Sequence, residues 1–213
     1  MRSRIATDLH DHIGASLTQI AVLSEVAQAQ GKNGNGASAD PLTKISAVSN
    51  ELVGIMSDIV WSINPTKDHL SDLTQRMRRF ASDVLAAKGI AFQFHEPGAS
   101  NEIIVNTNLR REVFLIFKES VNNVVKHSGA KQVKIELDIS EVNLTLKISD
   151  DGRGFLDNRQ SAAEIQSNNS GGNGVLSIKR RAREMNGSLD IISGVGKGTT
   201  IILNLPLGQN SMP

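Results

Sequence analysis

The sequence predicts an α-helical hairpin that pairs with a second copy of itself as a dimeric four-helix bundle. An α+β sandwich follows, with a mixed, mostly antiparallel sheet and helices on one face. Three observations predict this. Apolar residues recur at steps of three and four as far as Ile63, the spacing of one helix face. Beyond Asn64-Pro65 short stretches alternate with period two, the spacing of half-buried strands, between further helical segments. The length of 213 residues suits one large domain or two small ones, and a boundary at the Asn64-Pro65 break gives expected domains of 1–65 and 66–213.

Composition excludes several function classes. Lys and Arg number 23 against 22 Asp and Glu, a net charge of +1, so no basic footprint marks a direct nucleic-acid partner or an anionic lipid surface. Aromatics are 3%, too few for base stacking to lead recognition. The absence of cysteine removes disulfides, zinc–thiolate sites and thiol nucleophiles, and fits a reducing compartment. No apolar run approaches the ~18 residues of a membrane span, and Met1-Arg2-Ser3-Arg4 leads into an amphipathic pattern, not a secretory apolar core. A cytoplasmic location is expected. The abrupt start on a helix raises the expectation that the chain is a piece of a longer protein.

The elements follow in order. Residues 4–30 read as one helix, with Ile5, Leu9, Ile13, Ser16, Ile20, Leu23 and Ala27 on one stripe. Gly31 to Ser38, with three glycines, is a polar turn. Asp40 as N-cap and Pro41 at the first helical position open a second helix, whose stripe is Leu42, Ile45, Ser49, Leu52, Met56, Ile59 and Ile63. One such hairpin has too little core to stand alone, and two related by a twofold axis bury both stripes, which predicts a homodimer through the hairpin. A third helix runs from Asp68 to Lys88, a strand from Ile90 to Phe94 and a helix from Leu109 to Lys126. Val133–Ile139 and Leu144–Ile148 read as paired strands, Gly174–Asn186 as a basic helix, and Ser188–Ser193 and Thr199–Leu205 as two further strands. Residues 157–173 are poor in apolar side chains and are expected to be mobile.

Four segments of the second domain have chemical potential. Glu119 and Asn123 stand four apart on one helix face, where a carboxylate and an amide suit a hydrated Mg²⁺, although from the spacing alone a polar stripe on a solvated helix is the plainer reading. Asp150-Asp151-Gly152-Arg153-Gly154 follows a strand: an Asp there can accept from an exocyclic amine such as adenine N6, with glycines admitting a flat ligand, or the segment is an ordinary Asp-Gly turn. Gly171-Gly172-Asn173-Gly174 at a helix start offers free N–H groups to a phosphate, or is a linker. It is neither a P-loop, since no Gly-Lys-Ser/Thr follows, nor a dinucleotide fingerprint, since no βαβ unit surrounds it. Gly196-Lys197-Gly198-Thr199-Thr200 is a hairpin turn in which Thr199 is also free to donate to a phosphate or to the Asp150 turn. The basic run Lys179-Arg180-Arg181-Ala182-Arg183 reads as a solvated helix face.

In this order and spacing the four segments resemble the ATP-binding domain of two-component sensor histidine kinases, shared more widely with gyrase, the 90-kDa heat-shock chaperones and mismatch-repair ATPases. The resemblance covers about residues 66–207. Glu119 to Asn123 is similar to the N box, with Lys126 close behind; Asp150, Gly152 and Gly154 to the D-x-G-x-G box; Gly172 and Gly174 to the second glycine box; Gly198-Thr199 to the closing G-T motif. The resemblance implies ATP and Mg²⁺ as cofactors. It implies that Asn123 binds the metal, that Asp150 takes adenine N6, that the glycine loop is part of an ATP lid, and that Glu119, Lys126, Gly152, Gly154, Gly172, Gly174 and Thr199 line the nucleotide.

The first helix refines the resemblance. His10 lies just beside the apolar stripe, and its neighbours four residues away, Ala6 and Gly14, are both small. Glycine inside a helix costs ~1 kcal/mol against alanine, and the cleared surface suits an approaching γ-phosphate. Asp11 is placed to polarise the ring, whereas His12 lies about 200° round the helix from His10. A solvated helix histidine is the plainer reading. Leu9-His10-Asp11 resembles the H box of the Leu-His-Asp subfamily, which includes nitrate and membrane-fluidity sensors. That resemblance implies phosphorylation of His10, base assistance from Asp11, and a response-regulator receiver domain as partner. Met56–Pro65 resembles members with large extracytoplasmic sensors, which implies an upstream sensor region outside this chain and a location as the cytoplasmic portion of a membrane-bound sensor. One departure stands out: the Gln that many of these proteins carry four residues after the Asp is Ala15 here, which puts phosphatase activity by that route in doubt. The rival readings are an ATPase or Ser/Thr kinase on the same fold, and a nucleotide-gated dimer scaffold.

Overall fold

The computed structural model describes residues 2–32, 39–63, 69–98, 103–140, 142–155 and 173–207, with side chains described except at 2–12, 30–32, 39, 51, 59, 62–63 and 173. The chain divides into two compact units, Met1–Asn64 and Pro65–Pro213.

The first unit is two helices, α1 (Arg2–Lys32) and α2 (Ala39–Ile63), packed against each other. On α1 the predicted stripe residues Ile13, Ser16, Ile20, Leu23 and Ala27 are half-buried, with exposed residues on either side. Thr18 and Ser24 turn their hydroxyls back to the carbonyls of Gly14 and Ile20, both at 2.8 Å, which satisfies them within the helix. The α2 stripe divides. Ile45, Ser49 and Leu52 are half-buried, while Leu42 and Met56 are exposed, as are Val53 and Val60. One hairpin covers only one side of each helix, and the remaining apolar surface of α2 faces outward. Asp40 is not the cap expected of it: α2 already includes Ala39, and the Asp40 carboxylate sits in the first turn, 2.7 Å from Lys44 Nζ. A carboxylate there still complements the helix dipole. The predicted glycine turn falls on residues 33–38, outside the described ones, with Gly31 and Lys32 closing α1. The side chains of Ile5, Leu9, Ile59 and Ile63 are also outside.

The second unit is one five-stranded sheet with helices on one face. Its strands are β1 (Ala91–His95), β2 (Gln132–Ile139), β3 (Asn143–Asp150), β4 (Ser188–Ser193) and β5 (Thr199–Pro206), in the order β1-β2-β3-β5-β4. Only β1 and β2 run parallel, because a helix, α4 (Thr107–Asn123), carries the chain across between them. The other pairings are antiparallel. Alternation sorts the faces. Val133, Ile135 and Leu137 of β2, Leu144, Leu146 and Ile148 of β3, and Ile201, Leu203 and Leu205 of β5 are all buried. The opposite face is polar: Glu136 takes Lys134 at 2.6 Å and Lys147 at 3.6 Å. Against the apolar face lie α3 (Leu70–Ala86), with Leu70, Leu73, Met77, Ala81 and Leu85 buried, α4, with Val113, Ile116, Phe117 and Val121 buried, and α5 (Asn173–Glu184), with Ile178 and Ala182 buried. Phe80 meets Phe114 and Phe117 edge-on at 6.1 and 6.2 Å.

Boundaries differ from expectation where capping decides them. α4 begins two residues early because the Asn106 side chain accepts from Leu109 N at 2.8 Å. The α-helical geometry of α4 stops at Asn123, short of the expected Lys126, and Val124–Ser128 continue as a wider π-helical turn closed by Gly129. α5 ends at Glu184, short of Asn186, as Asn186 turns to positive φ and Gly187 N donates to Ala182 O. The expected mobile stretch 157–173 lies outside the described residues except for the backbone of Asn173, the first residue of α5.

Candidate functional site

The N-box segment, the Asp150 turn, the start of α5 and the Gly198-Thr199 turn come together on one cavity of about 210 Å³. Its walls are Ser120, Asn123, Val124, His127 and Ser128 from α4 and its π-helical turn, Asp150 at the end of β3, Gly154 and Phe155 after it, Val175 of α5, Ile191 of β4, and Thr199 and Ile201 of β5. The lining is mostly apolar with a few polar groups, the usual form of a small-molecule site.

Two of those polar groups stand out. Asn123 Nδ2 is buried and has no hydrogen-bond partner in the structure. A buried amide is normally paired, so this one is fitted for a ligand. Asp150, the last residue of β3, accepts from Gly152 N at 2.9 Å. Its carboxyl is raised above the usual aspartate range, chiefly by burial and slightly by the charge of Asp151, against the opposing pull of the Gly152 and Thr199 backbone N–H groups. The neighbouring carboxylate goes the other way. Asp151 is exposed and accepts from Gln132 N and Lys131 N, both at 2.8 Å, which lowers it. Asp151 therefore fastens the start of β2, and Asp150 faces the cavity.

The turns around Asp150 interlock. A Cβ on Gly152 would meet Ser128 O at 2.5 Å, and Arg153 N donates to that same carbonyl at 2.9 Å. Gly198 has φ +71°, and a Cβ there would collide with Asp150 O. Gly198→Ala is therefore expected to cost ~2 kcal/mol or more, from the positive φ and the backbone clash together. A thermal midpoint equal to the parent's would contradict this. Thr199 Oγ1 lies 3.0 Å from Ser193 Oγ, which also donates to Gly198 O at 3.1 Å and accepts from Phe155 N at 2.9 Å. Glu119 is half-buried on α4, with an oxygen against the bare Cα of Gly174.

Of the residues singled out in the sequence, Asn123, Asp150, Gly154 and Thr199 line the cavity, and Glu119, Gly152 and Gly174 pack at its edge. Lys126 is exposed on the π-helical turn and is not part of the lining. Gly172 lies outside the described residues. His10 and Asp11 are on α1, in the other unit, and their side chains are outside the described ones. Ser193, Ser128 and His127 were not anticipated. Ser193 matches no motif: Gly198 and Thr199 meet it across its own hairpin, but Phe155 comes from 38 positions away, and Ser128 and His127 join the lining from the π-helical turn.

Among the described residues no group of three His, Cys, Asp or Glu is placed to hold a metal. The donor set fits Mg²⁺ all the same, because that ion keeps waters and takes few protein ligands when phosphates supply the rest. The amide oxygen of Asn123 is the available neutral ligand, with Glu119 one turn away.

The family model for the "Histidine kinase-, DNA gyrase B-, and HSP90-like ATPase" matches residues 108–209, which takes in every element of this cavity. The second unit is thus an ATP-binding domain of that class. The model for "Histidine kinase" matches residues 2–68. With both models in sequence, the chain belongs to the sensor histidine kinase family. It is 28% identical over 208 residues to the sensor histidine kinase DesK of Bacillus subtilis (strain 168), covering 96% of this chain and 50% of DesK. It is 24% identical over 206 residues to the sensor histidine kinase LiaS of the same organism, covering 97% of this chain and 54% of LiaS. The chain spans about half the length of these relatives. Among solved structures its fold is similar to the Acinetobacter baumannii histidine kinase AdeS, with a TM-score of 0.60 at 13% identity over 90% of this chain and 96% of that one.

Proposed function

We propose that this chain is the catalytic core of a sensor kinase that phosphorylates its own His10 from ATP and passes the phosphoryl group to an aspartate of a response-regulator receiver domain. The observation that carries the reading is the cavity that a buried, partnerless amide nitrogen of Asn123 shares with a burial-raised carboxylate, Asp150, in a chain that also carries Leu9-His10-Asp11 on a long helix.

Asp150 accepts the exocyclic amine of adenine, and the apolar part of the lining takes the ring. Thr199 holds the Asp150 turn in place. Gly174, Gly172 and the first turn of α5 meet the phosphates with backbone N–H groups, and Lys126 extends from the π-helical turn toward the same charge. Mg²⁺, when bound through Asn123, supplies charge neutralisation on the phosphates. Glu119 orients water beside it. The lone pair of a neutral His10 ring nitrogen forms the new N–P bond as the bond from the γ-phosphorus to the ADP oxygen breaks, and Asp11 keeps the ring in the nucleophilic tautomer. Residues 1–65 form the dimerising phosphoacceptor domain and 66–213 the catalytic domain. The outward apolar residues of α2, Leu42, Val53, Met56 and Val60, support a homodimer through the hairpin. None of the described helices is long and apolar enough to cross a membrane. We place the chain as the cytoplasmic part of a longer sensor whose upstream region lies outside it. Ala15 is exposed and has no polar side chain, so dephosphorylation of the partner is not part of this reading.

The test is the chemistry of the product. After incubation with γ-labelled ATP and Mg²⁺, the label on the protein is lost in acid and retained in base, as expected of an N–P bond. Acid-stable label would point to a hydroxyl acceptor, and tight ATP binding with no label would point to a scaffold.

Asp150 allows a further check. Its folded carboxyl is raised above its unfolded value, so its ionisation opposes folding at neutral pH, and that penalty disappears as pH falls through the folded value toward the unfolded one. Asp150→Asn is expected to melt at or above the parent at pH 7, with the difference closing in acid. Its ATP affinity should fall about ten- to hundredfold, the loss of one charge-assisted hydrogen bond. Undiminished affinity in calorimetric titration would remove Asp150 from the adenine site.

A further inference from the structure

Helices α4 and α5 touch at two polar points that share one register. Beside the cavity, the Cβ that Gly174 lacks would collide with Glu119 Oε1. Farther along, Arg181 Nη1 donates to Glu112 Oε2 at 2.6 Å. The spacing is seven residues on each helix, 112 to 119 and 174 to 181, in opposite directions. Seven residues make about two turns, ~10 Å of helix. The glycine notch and the ion pair therefore lie on one seam between antiparallel helices, and Ile178, 1% exposed, fills the middle.

The notch sets how near the helices come and favours glycine opposite Glu119. Apolar contact at Ile178 and Ala182 is more tolerant of sliding. The ion pair is a second fixed point: the Glu112 side chain is 11% exposed and that of Arg181 25%, and Arg111 Nη1 adds a second donor to Glu112 at 3.2 Å. A slip of α5 by one residue shifts it ~1.5 Å and turns it ~100°, which would part Arg181 from Glu112 and push a side chain other than glycine against Glu119. Shielded ion pairs add little net stability over apolar pairs of the same volume, and fixing register is their best-attested use.

We infer that Glu112 and Arg181 are positioning residues: their ion pair sets the register of α5 on α4 and, two turns away, holds the Glu119 carboxylate against Gly174 in its working orientation. The inference deepens the kinase reading and rests on it for the role of Glu119.

The experiment uses the full chain and the variant Arg181→Met, with Arg181→Lys as the conservative control. At saturating ATP the initial rate of His10 labelling should fall ~10- to 100-fold in Arg181→Met, the effect of a misplaced group, with partial recovery in Arg181→Lys. Affinity for a non-hydrolysable ATP analogue, which depends on Asp150, should change far less. Combining Arg181→Met with Gly174→Ala should slow labelling by less than the product of the two single effects, since both act on Glu119. Amide hydrogen exchange at Gly174–Ile178, read without nucleotide, should accelerate in Arg181→Met. An unchanged saturated rate, a rate loss matched by lost affinity, multiplicative single effects, or unchanged exchange at α5 would each overturn the register role. If the parent itself takes no label on His10, the kinase reading fails; the exchange measurement still decides whether the ion pair sets the register.

Discussion

Replacing His10 by Gln is expected to abolish incorporation of label from γ-labelled ATP while leaving ATP affinity unchanged. Gln keeps the length and polarity of the side chain and its helix propensity, and α1 continues from Arg2 to Lys32 through this position. What it lacks is a ring nitrogen with a free lone pair, the one feature the N–P bond requires. The nucleotide cavity belongs to the other compact unit, so nothing in its lining changes. The effect is therefore all or none in transfer and absent in binding, measured by label retained on denaturing gels and by calorimetric titration in parallel. Label persisting in the variant would place the acceptor elsewhere, with the other histidines the first to replace.

The second large effect is at Asn123. Asn123→Asp is expected to lower kcat/KM for Mg²⁺-ATP by ~10²- to 10³-fold, the usual cost of losing one positioned polar group at a phosphoryl site. The native amide is neutral and two-ended: its oxygen can meet a cation while its nitrogen, buried and without a partner in the structure, can donate to a phosphate. A carboxylate only accepts, and it adds negative charge beside a triphosphate in a shielded cavity. Raising Mg²⁺ should recover part of the loss by masking that charge. Turnover equal to the parent's across a Mg²⁺ titration would exclude Asn123 from the site.

Much of the fold was legible because it rests on periodicity. The α1 stripe Ile13, Ser16, Ile20, Leu23 and Ala27 and the strand alternations of β2, β3 and β5 emerge as the half-buried and buried positions themselves. The α2 stripe was legible only in outline, since one set of three-and-four steps serves two surfaces, an inner one through Ile45 and Leu52 and an outer one through Met56. Spacing also put Glu119 and Asn123 on one face and marked the Asp150-Asp151 pair at a strand end. It did not separate Asp150 from Asp151, because the distinction is made by the Lys131 and Gln132 backbone, which meets Asp151 only across the sheet. It did not supply the α4–α5 ion pair either, as Glu112 and Arg181 stand 69 positions apart.

The π-helical turn at Val124–Ser128 carries a last consequence. A wide turn of this kind holds one more residue than an α-turn spanning the same path. Ser128 closes on the Asp150–Gly152 corner from the end of this turn: its hydroxyl donates to Val124 O at 2.7 Å, and its carbonyl takes Arg153 N. Shortening the stretch by one would yield a smoother, locally better-bonded helix and rotate everything after it by roughly 100°. Losing one residue here should disturb the cavity even where every remaining side chain is kept, so the count of residues is itself part of the machinery.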